Sequence, residues 1–262
     1  VRAVSGGLTT RRLDRGDRVA IVLGNSLEFV TSYFGVLRAG LVAVPINNSY
    51  TATEIDTVLT SSGAKLVITD KQSAKAVRDA TAGDVAVVEV GTDDWRRLTV
   101  GSTPPPDFET DPESLAVLIY TAGTSGQPKG AMLTHRALLA NLDQMLRVTD
   151  PAPMLPDDVV LVVLPMFHIY ALNAALGLVA RCGATAVISD RFDAEGSLKL
   201  IADHGVTHVA GAPPMYIGWS TVPDFAQRMA SVRMLISGAS PLLPAVFQQC
   251  ASAGLTIWEG YG

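Results

Sequence analysis

Residues 120–133 read YTAGTSGQPKGAML and combine glycines, hydroxyl side chains and one lysine in a short turn after an apolar run. Small residues leave backbone N–H groups free to converge on an anion, and Lys129 adds a full positive charge. The turn therefore predicts a phosphate-binding loop. It differs from the nucleotide-binding P-loop, in which a glycine precedes the lysine and Ser or Thr follows it, because here Pro128 precedes Lys129 and Gly130 follows it.

Strand and helix patterns surround this loop. Residues 115–120, LAVLIY, predict a buried strand that enters it, and residues 135–146, HRALLANLDQML, predict a helix that leaves it. We therefore expect the loop to lie between a strand and a helix, where α/β proteins bind ligands. Two proline-rich segments, 101–114 and 151–156, predict linkers or surface loops, since proline fits neither a helix interior nor a central strand.

The rest of the chain alternates between the two patterns. Helices are predicted to begin at Asn25 or Ser26 and at Thr51 or Thr53, and the first of them to stop at Gly40. Short apolar runs predict the strands RVAIVL, LVAVPIN, KLVITD and VAVVEV before the loop, and VVLVVL, ATAVIS, THVAG, VRMLISG and LTIWEG after it. This order favours a largely parallel α/β fold.

Composition excludes several classes of protein. The chain has 262 residues, 48% of them hydrophobic, so it can bury a substantial core. Its formal net charge is −5 and its basic residues do not run beyond pairs, which disfavours a nucleic-acid partner. Cys182 and Cys250 lie among aliphatic or small residues, as expected of buried thiols in a reducing compartment, and we take a cytoplasmic location as the default.

One window, residues 159–180, is apolar enough to suggest a membrane span. It contains Pro165, His168 and Asn173 and starts with β-branched residues, so a buried strand followed by a helix explains it better, and we predict no transmembrane segment. His204 and His208 are four residues apart, but Gly205 and a strand-like pattern follow His204, which disfavours a metal site there.

The motifs resemble the signature of the adenylate-forming superfamily, which includes acyl-CoA synthetases, firefly-type luciferases and the adenylation domains of peptide synthetases. The loop motif LIYTAGTSGQPKG is accompanied, in the family's order, by LPMFHIYALN at 164–173, GAPPMY at 211–216, LISGASPL at 235–242 and WEGYG at 258–262. Residues 16–47 are also similar to the family, so the resemblance covers nearly the whole chain.

The resemblance implies a fold and a domain organisation. We expect an α/β fold with two packed, largely parallel sheets flanked by helices, as in the large N-terminal domain of acyl-CoA synthetases. Residues 1–262 would form an incomplete N-terminal adenylation domain, with one subdomain at 15–150 and another at 157–262 plus 1–14. The family's next Thr and Glu, the latter a Mg²⁺ ligand, and its small C-terminal domain are absent from the sequence, so we expect this fragment alone not to turn over.

The resemblance also implies ATP, Mg²⁺, a carboxylic acid and coenzyme A as the ligands. The acid would attack the α-phosphate to form an acyl-adenylate, and the thiol of coenzyme A would then displace AMP. The implied ATP contacts are Thr121, Ala122, Gly123, Thr124, Ser125, Gly126 and Lys129 around the phosphates, and Gly238, Ala239, Ser240, Glu259, Gly260 and Tyr261 around the adenine. A hydroxyl of Thr124 or Ser125 would help to hold Mg²⁺.

Four residues would form the acid site and one the coenzyme A site. By the resemblance His168 lies beside the reacting carboxylate as the catalytic and gating residue, and the pocket wall continues through Tyr170, Asn173 and Ala174. Arg191 falls where many members of the family place a basic residue for a phosphate of coenzyme A.

Two differences from the patterns of related enzymes indicate the substrate class. Amino-acid-activating members usually carry an aspartate where His168 stands, which disfavours an amino acid. Hydroxycinnamate enzymes tend to have serine where Ala174 stands, which favours a fatty or otherwise apolar acid. The alternatives are an aryl, hydroxycinnamate-like acid, or a non-catalytic nucleotide-binding scaffold that kept the fold and lost the chemistry.

Overall fold

The computed structural model describes residues 1–81, 83, 85–100, 103, 109–121 and 128–260. The chain divides into two compact units, Val1–Leu139 and Ala140–Gly262. Unit 1 contains the helices α1 (Arg2–Thr9), α2 (Leu27–Arg38), α3 (Ala52–Ser62), α4 (Ala74–Thr81) and α5 (Asp93–Thr99). Its strands are β1 (Arg18–Val22), β2 (Val42–Pro45), β3 (Leu66–Thr69), β4 (Ala86–Glu89), β5 (Leu115–Thr121) and β6 (Lys129–Thr134). Helix α6 (His135–Leu146) begins in unit 1 and ends in unit 2.

The sheet of unit 1 has the order β4-β3-β1-β2-β5-β6, and all neighbours are parallel except β5 and β6. Every residue of β2 and β3 is buried, as the continuous apolar runs predict for a parallel sheet covered on both faces. The helix starts are confirmed. Ser26 accepts a hydrogen bond from the N–H of Phe29, and Thr51 forms a reciprocal capping box with Glu54.

Strand β6 corrects the prediction for the segment after the glycine-rich loop. The loop leads into a strand that pairs antiparallel with β5, and the predicted helix starts only at His135. The loop therefore connects two strands of a hairpin, and not a strand and a helix. The strand escaped prediction because Lys129–Met132 are exposed at the edge of the sheet and show no buried apolar run.

Residues 1–14 also differ from expectation, since the structure places α1 in unit 1. A Cβ on Gly35 of α2 would lie 2.6 Å from Val4, and one on Gly7 would lie 2.1 Å from the carbonyl oxygen of Leu98 in α5. Glycine at these two positions lets the helix backbones approach closely. The expected grouping of residues 1–14 with 157–262 therefore differs from the structure, because close helix packing holds α1 on α2 and α5.

Unit 2 contains five strands: β7 (Val159–Val162), β8 (Thr185–Ile188), β9 (His208–Gly211), β10 (Met234–Ser237) and β11 (Ile257–Glu259). Its helices are a π-helix (Tyr170–Gly177), α7 (Leu178–Cys182), α8 (Ala194–His204), α9 (Pro213–Ser220), α10 (Phe225–Arg228) and α11 (Pro244–Ser252). The sheet order is β11-β10-β9-β7-β8, and its neighbours are parallel. The predicted α/β fold with two largely parallel sheets is confirmed.

The window 159–180 is a buried strand followed by helix, as predicted, but the helix begins as a π-helix. In the described part of the chain, no helix is long and apolar enough to cross a bilayer.

An ion pair between the partly exposed Arg233 and the buried Asp158 lies before the strands of unit 2. Asp158, 3% exposed, accepts hydrogen bonds from Arg233 through both carboxylate oxygens and from the hydroxyl of Thr207 at 2.6 Å. Burial opposes ionisation of this carboxyl, yet these hydrogen bonds keep its pKa below the usual value. The pair joins the segments that lead into β7, β9 and β10, and so fixes their relative register.

Candidate active site

A pair of residues at the loop end of the β5–β6 hairpin flanks the predicted phosphate loop. Thr121, the last residue of β5, is the cross-strand partner of Lys129, the first residue of β6, and both are exposed. Directly opposite residues project on the same face of a sheet. The hairpin therefore brings a hydroxyl and an ammonium group to one face, at the two ends of the segment 122–128.

A glycine at the next register position supports this hairpin. Gly130 pairs with Tyr120, and a Cβ on Gly130 would lie 3.1 Å from the tyrosine ring. The phenol oxygen of Tyr120 also lies 3.0 Å from the hydroxyl of Ser61 in α3. The ring thus packs across the hairpin and anchors the strand that carries Lys129.

In unit 2, the carboxyl ends of β9, β10 and β11 form a second candidate site. The N–H of Gly238 donates to the carbonyl of Gly211 at 3.1 Å, and the N–H of Gly260 donates to the carbonyl of Ser237 at 2.8 Å. The last residue of β9 therefore binds the loop after β10, and the last residue of β10 binds the segment after β11. Ala239 and Gly260 are exposed at this edge, where open α/β sheets bind ligands.

The loop after β10 has two unusual features. Ala239 has φ +71°, a left-handed conformation that costs an L-residue about 1–2 kcal/mol and that clusters at functional sites. The carboxylate of Glu259 accepts a hydrogen bond from the N–H of Leu242 at 2.9 Å. This contact ties the end of β11 to the loop that carries Ala239 and Ser240.

Tyr170 closes the same edge. Its hydroxyl lies 3.5 Å from the carbonyl oxygens of Gly211 and Ile236, and a Cβ on Gly238 would lie 3.0 Å from its ring. Burial raises the pKa of the phenol to about 12, so at neutral pH Tyr170 is a neutral hydrogen-bond donor. Three predicted site residues, Tyr170, Gly238 and Ala239, are thus in one place.

His168 is exposed, and its orientation is set by the start of the π-helix. Its Nδ1 accepts a long hydrogen bond, 3.4 Å, from the N–H of Tyr170. In the neutral ring this leaves the proton on Nε2, which can donate to an anionic ligand such as a carboxylate. His168 can therefore offer a hydrogen-bond donor to an anionic group beside Tyr170.

The other two predicted acid-site residues belong to the π-helix. Asn173 is 7% exposed and its side-chain amide donates to Oδ1 of Asn141 at 2.8 Å, so it serves at least partly to hold the helix. Ala174 is half-buried. π-helices are rare overall but frequent at functional sites, which is compatible with the predicted role of these two residues.

Arg191 is separated from these residues. It is exposed and follows β8, at the opposite edge of the sheet from β11. Three strand spacings, about 14 Å, separate β8 from β10. The structure therefore does not bring Arg191 together with Gly238–Ser240 or Glu259.

Six predicted site residues lie outside the residues that the structure describes. They are Ala122, Gly123, Thr124, Ser125, Gly126 and Tyr261. The predicted Mg²⁺ contact of Thr124 is among them. Within the described ranges, His, Cys, Asp and Glu form no group of three that could hold a metal ion.

The structure adds residues that the prediction missed. Gly211 supplies the carbonyl shared by Tyr170 and Gly238, and the hydroxyl of Tyr216 donates to the carbonyl of Ile236 at 2.8 Å. Both lie in the motif GAPPMY, so the motif marked the segment without giving roles to its residues. Asn141 had no such signal, because a polar residue in an amphipathic helix is usually solvated.

Comparison with known proteins assigns this architecture to a family. The family model for AMP-binding enzymes matches residues 1–262. The chain is similar to 4-coumarate–CoA ligase 3 of Arabidopsis thaliana, with 35% identity over 252 residues that cover 92% of the chain and 45% of that protein. The chain thus spans about half the length of the curated relatives it matches.

Solved structures support the same family assignment. ATP-bound MatB from Rhodopseudomonas palustris has a TM-score of 0.89 and 28% identity, over 100% of this chain and 53% of that one. A fatty acyl-CoA synthetase of Mycobacterium tuberculosis has a TM-score of 0.88 and 30% identity, over 99% of this chain and 52% of that one. From its fold, its motifs and these likenesses, the chain belongs to the AMP-binding enzyme family.

Proposed function

We propose that residues 1–262 form part of the N-terminal adenylation domain of an ATP-dependent carboxylate–CoA ligase, an AMP-forming acid–thiol ligase. The observation that carries the proposal is the edge of unit 2, where Tyr170, the left-handed loop at Ala239 and the Glu259 contact meet at the carboxyl ends of parallel strands. Family membership and the likeness to an ATP-bound structure support it. Carboxylic acid, ATP and coenzyme A are the proposed substrates.

The first proposed step activates the acid. A carboxylate oxygen attacks the α-phosphorus of ATP, the bond from that phosphorus to the bridging oxygen of the β-phosphate breaks, and pyrophosphate leaves with the electron pair. In this step Lys129 and Thr121 stabilise the charge that develops on the departing phosphates, and no covalent bond to the protein forms. His168 orients the acid through Nε2–H. A hydroxyl of Thr124 or Ser125 would help to hold Mg²⁺, which would supply further positive charge for the phosphates.

The second proposed step forms the thioester. The sulfur of coenzyme A attacks the acyl carbon, the bond from that carbon to the phosphate oxygen of AMP breaks, AMP leaves, and the thiol proton passes to solvent or to a base. The adenine of AMP would rest against Gly238–Ser240 and Glu259–Tyr261 throughout. Arg191, at the far edge of the sheet, would contact a phosphate of coenzyme A.

For the acid itself we propose a fatty acid. Ala174 offers no hydroxyl for a polar substituent, and one similar solved structure is a fatty acyl-CoA synthetase. The second candidate is an aryl acid, favoured by the relatives that are 4-coumarate–CoA ligases. The two candidates differ in the polarity that the pocket must match.

ATP binding to the chain 1–262 tests the nucleotide part of the proposal. Lys129→Ala should weaken ATP binding about 10- to 100-fold, the range expected when a charge-assisted hydrogen bond is lost. Lys75→Ala is the matched control, because Lys75 is an exposed lysine of unit 1 paired with Asp79. Equal affinities for the wild type and both variants, by isothermal titration calorimetry, would count against the phosphate role of Lys129.

Pyrophosphate exchange by a longer gene product that contains residues 1–262 tests the reaction and the acid. We expect exchange with fatty acids and weaker or no exchange with 4-coumarate or amino acids. A response to 4-coumarate alone would select the aryl candidate, and a response to amino acids alone would refute the assignment. ATP binding without exchange for any acid would identify the scaffold alternative. Thioester formation by 1–262 alone would contradict our expectation that this fragment is inactive.

A further inference from the structure

A polar contact between two asparagines holds the π-helix on α6. The side-chain nitrogen Nδ2 of Asn173 donates to Oδ1 of Asn141 at 2.8 Å. Asn173 is 7% exposed, whereas Asn141 is exposed on α6. A buried amide that lost its partner would cost about 1–3 kcal/mol, so this contact favours one rotation of the π-helix over others.

The packing around Asn173 requires a glycine at position 177, in the next turn of the helix. A Cβ on Gly177 would lie 2.9 Å from Oδ1 of Asn173 and 3.2 Å from Leu142, which neighbours Asn141 on α6. Because Gly177 has no side chain, Asn173 has the space to reach α6. We call this group of contacting residues, Asn141, Asn173 and Gly177, the asparagine clamp.

The backbone at the clamp has the wide hydrogen-bond spacing of a π-helix. The N–H of Leu178 donates to the carbonyl of Asn173, five residues earlier, as well as to that of Ala175. This spacing holds one more residue in the turn than an α-helix does. Conversion of the segment to an α-helix would displace the residues before it by one position, about 100° of rotation.

The residue most affected would be Tyr170, the first of the π-helix. Its ring packs on Gly238 and its hydroxyl approaches the ends of β9 and β10, so a rotation of that size would remove it from the site. His168 would lose its contact with the N–H of Tyr170 as well. We propose that Asn141 is a positioning residue, which through Asn173 keeps the π-helix in the register that places Tyr170 and His168 for the acid; this rests on the proposed function.

A contact between α6 and α7, the helix that follows the π-helix, provides a control. Arg181 of α7 pairs with Asp143 of α6 at 3.2 Å, and both side chains are about half exposed. Exposed ion pairs contribute about 0–1 kcal/mol, and this one lies after the π-helix, away from Tyr170. Asp143→Ala therefore removes another link to α6 without touching the asparagine clamp.

Hydrogen exchange on the chain 1–262 tests the clamp itself. We expect Asn141→Ala to speed amide exchange in a peptide covering 174–182 about tenfold, since the stabilisation lost is that of one buried hydrogen bond. Asn141→Asp keeps an acceptor oxygen for Asn173 and should restore slow exchange. Asp143→Ala should change the rate by less than about fivefold, and by less than Asn141→Ala does. Equal exchange in Asn141→Ala and the wild type would overturn the proposal.

Kinetics of the longer gene product test the positioning role. In pyrophosphate exchange, Asn141→Ala should raise the KM for the acid about tenfold, leave the KM for ATP within about twofold, and be rescued by Asn141→Asp. A parallel rise in both KM values would indicate general loosening and refute the role. If the wild type activates no acid, the proposed function fails, and the exchange rates at 174–182 still decide whether Asn141 fixes the π-helix.

Discussion

His208 should make the stability of unit 2 depend on pH. It lies in the central strand β9, it is fully buried, and neither ring nitrogen has a hydrogen-bond partner among the described residues. Burial lowers its pKa from 6.5 to about 4, with Asp158 opposing and Arg233 reinforcing the shift. The folded chain therefore keeps this histidine neutral.

The sign and size of the effect follow from linkage. Because the folded pKa is depressed, the unfolded chain takes up the proton first as the pH falls below 6.5, and stability is lost until the folded pKa is reached. Between pH 7 and pH 5 the loss is about 2 kcal/mol, and at pH 4 it is about 3 kcal/mol. His208→Leu removes this contribution, and it should be at least as stable as the wild type at pH 7, since two unpartnered polar atoms are removed.

Urea unfolding of 1–262 and of His208→Leu at pH 7, 6 and 5 measures this contribution. The signal is the fluorescence of Trp219, which is 1% exposed in the core of unit 2, in a background where the other tryptophans are replaced by phenylalanine. Other titrating groups affect both proteins alike, so the difference between the two curves isolates His208. A difference that stays constant from pH 7 to pH 5 would refute the reasoning.

Three further predictions concern packing, capping and a buried charge. Gly238→Ala places a Cβ 3.0 Å from the ring of Tyr170, so kcat/KM for the acid should fall about tenfold in pyrophosphate exchange, and an unchanged value would remove Tyr170 from the acid site. Thr51→Ala removes a capping box and should lower the free energy of unfolding of unit 1 by about 1 kcal/mol in urea titrations; no change would show that the cap is dispensable. Arg233→Ala leaves the buried carboxylate of Asp158 without its cation and should cost about 3 kcal/mol by thermal unfolding, whereas a loss below about 1 kcal/mol would mean that the pair is not desolvated.

The sequence predicted those elements whose signal is local. The buried runs at β1, β2 and β3 and the cap at Thr51 are set by apolar continuity and by one side chain, and each is where the pattern predicts it. Strand β6 was missed because it lies at an exposed edge, where pairing with β5 and not burial makes it a strand.

The details of the site depended on contacts that no local pattern encodes. The motif located Tyr170, but its contacts with Gly211 and Ile236 come from segments more than 40 residues away in sequence. No apolar periodicity distinguishes this π-helix from an α-helix, and the hydrogen-bond partner of Asn173 lies 32 residues away in sequence on α6. Only the fold could reveal these.

The hydrogen bonds that hold the strand ends of unit 2 are made by the main chain, from Gly238 to Gly211 and from Gly260 to Ser237. Side chains at the neighbouring exposed positions can therefore change without displacing the polypeptide, which makes this rim a place where new ligand preferences could evolve or be engineered. The left-handed turn narrows the choice at Ala239 to residues such as glycine, asparagine or aspartate. Ser240 does not have this left-handed backbone conformation, so a mutant library should begin at Ser240.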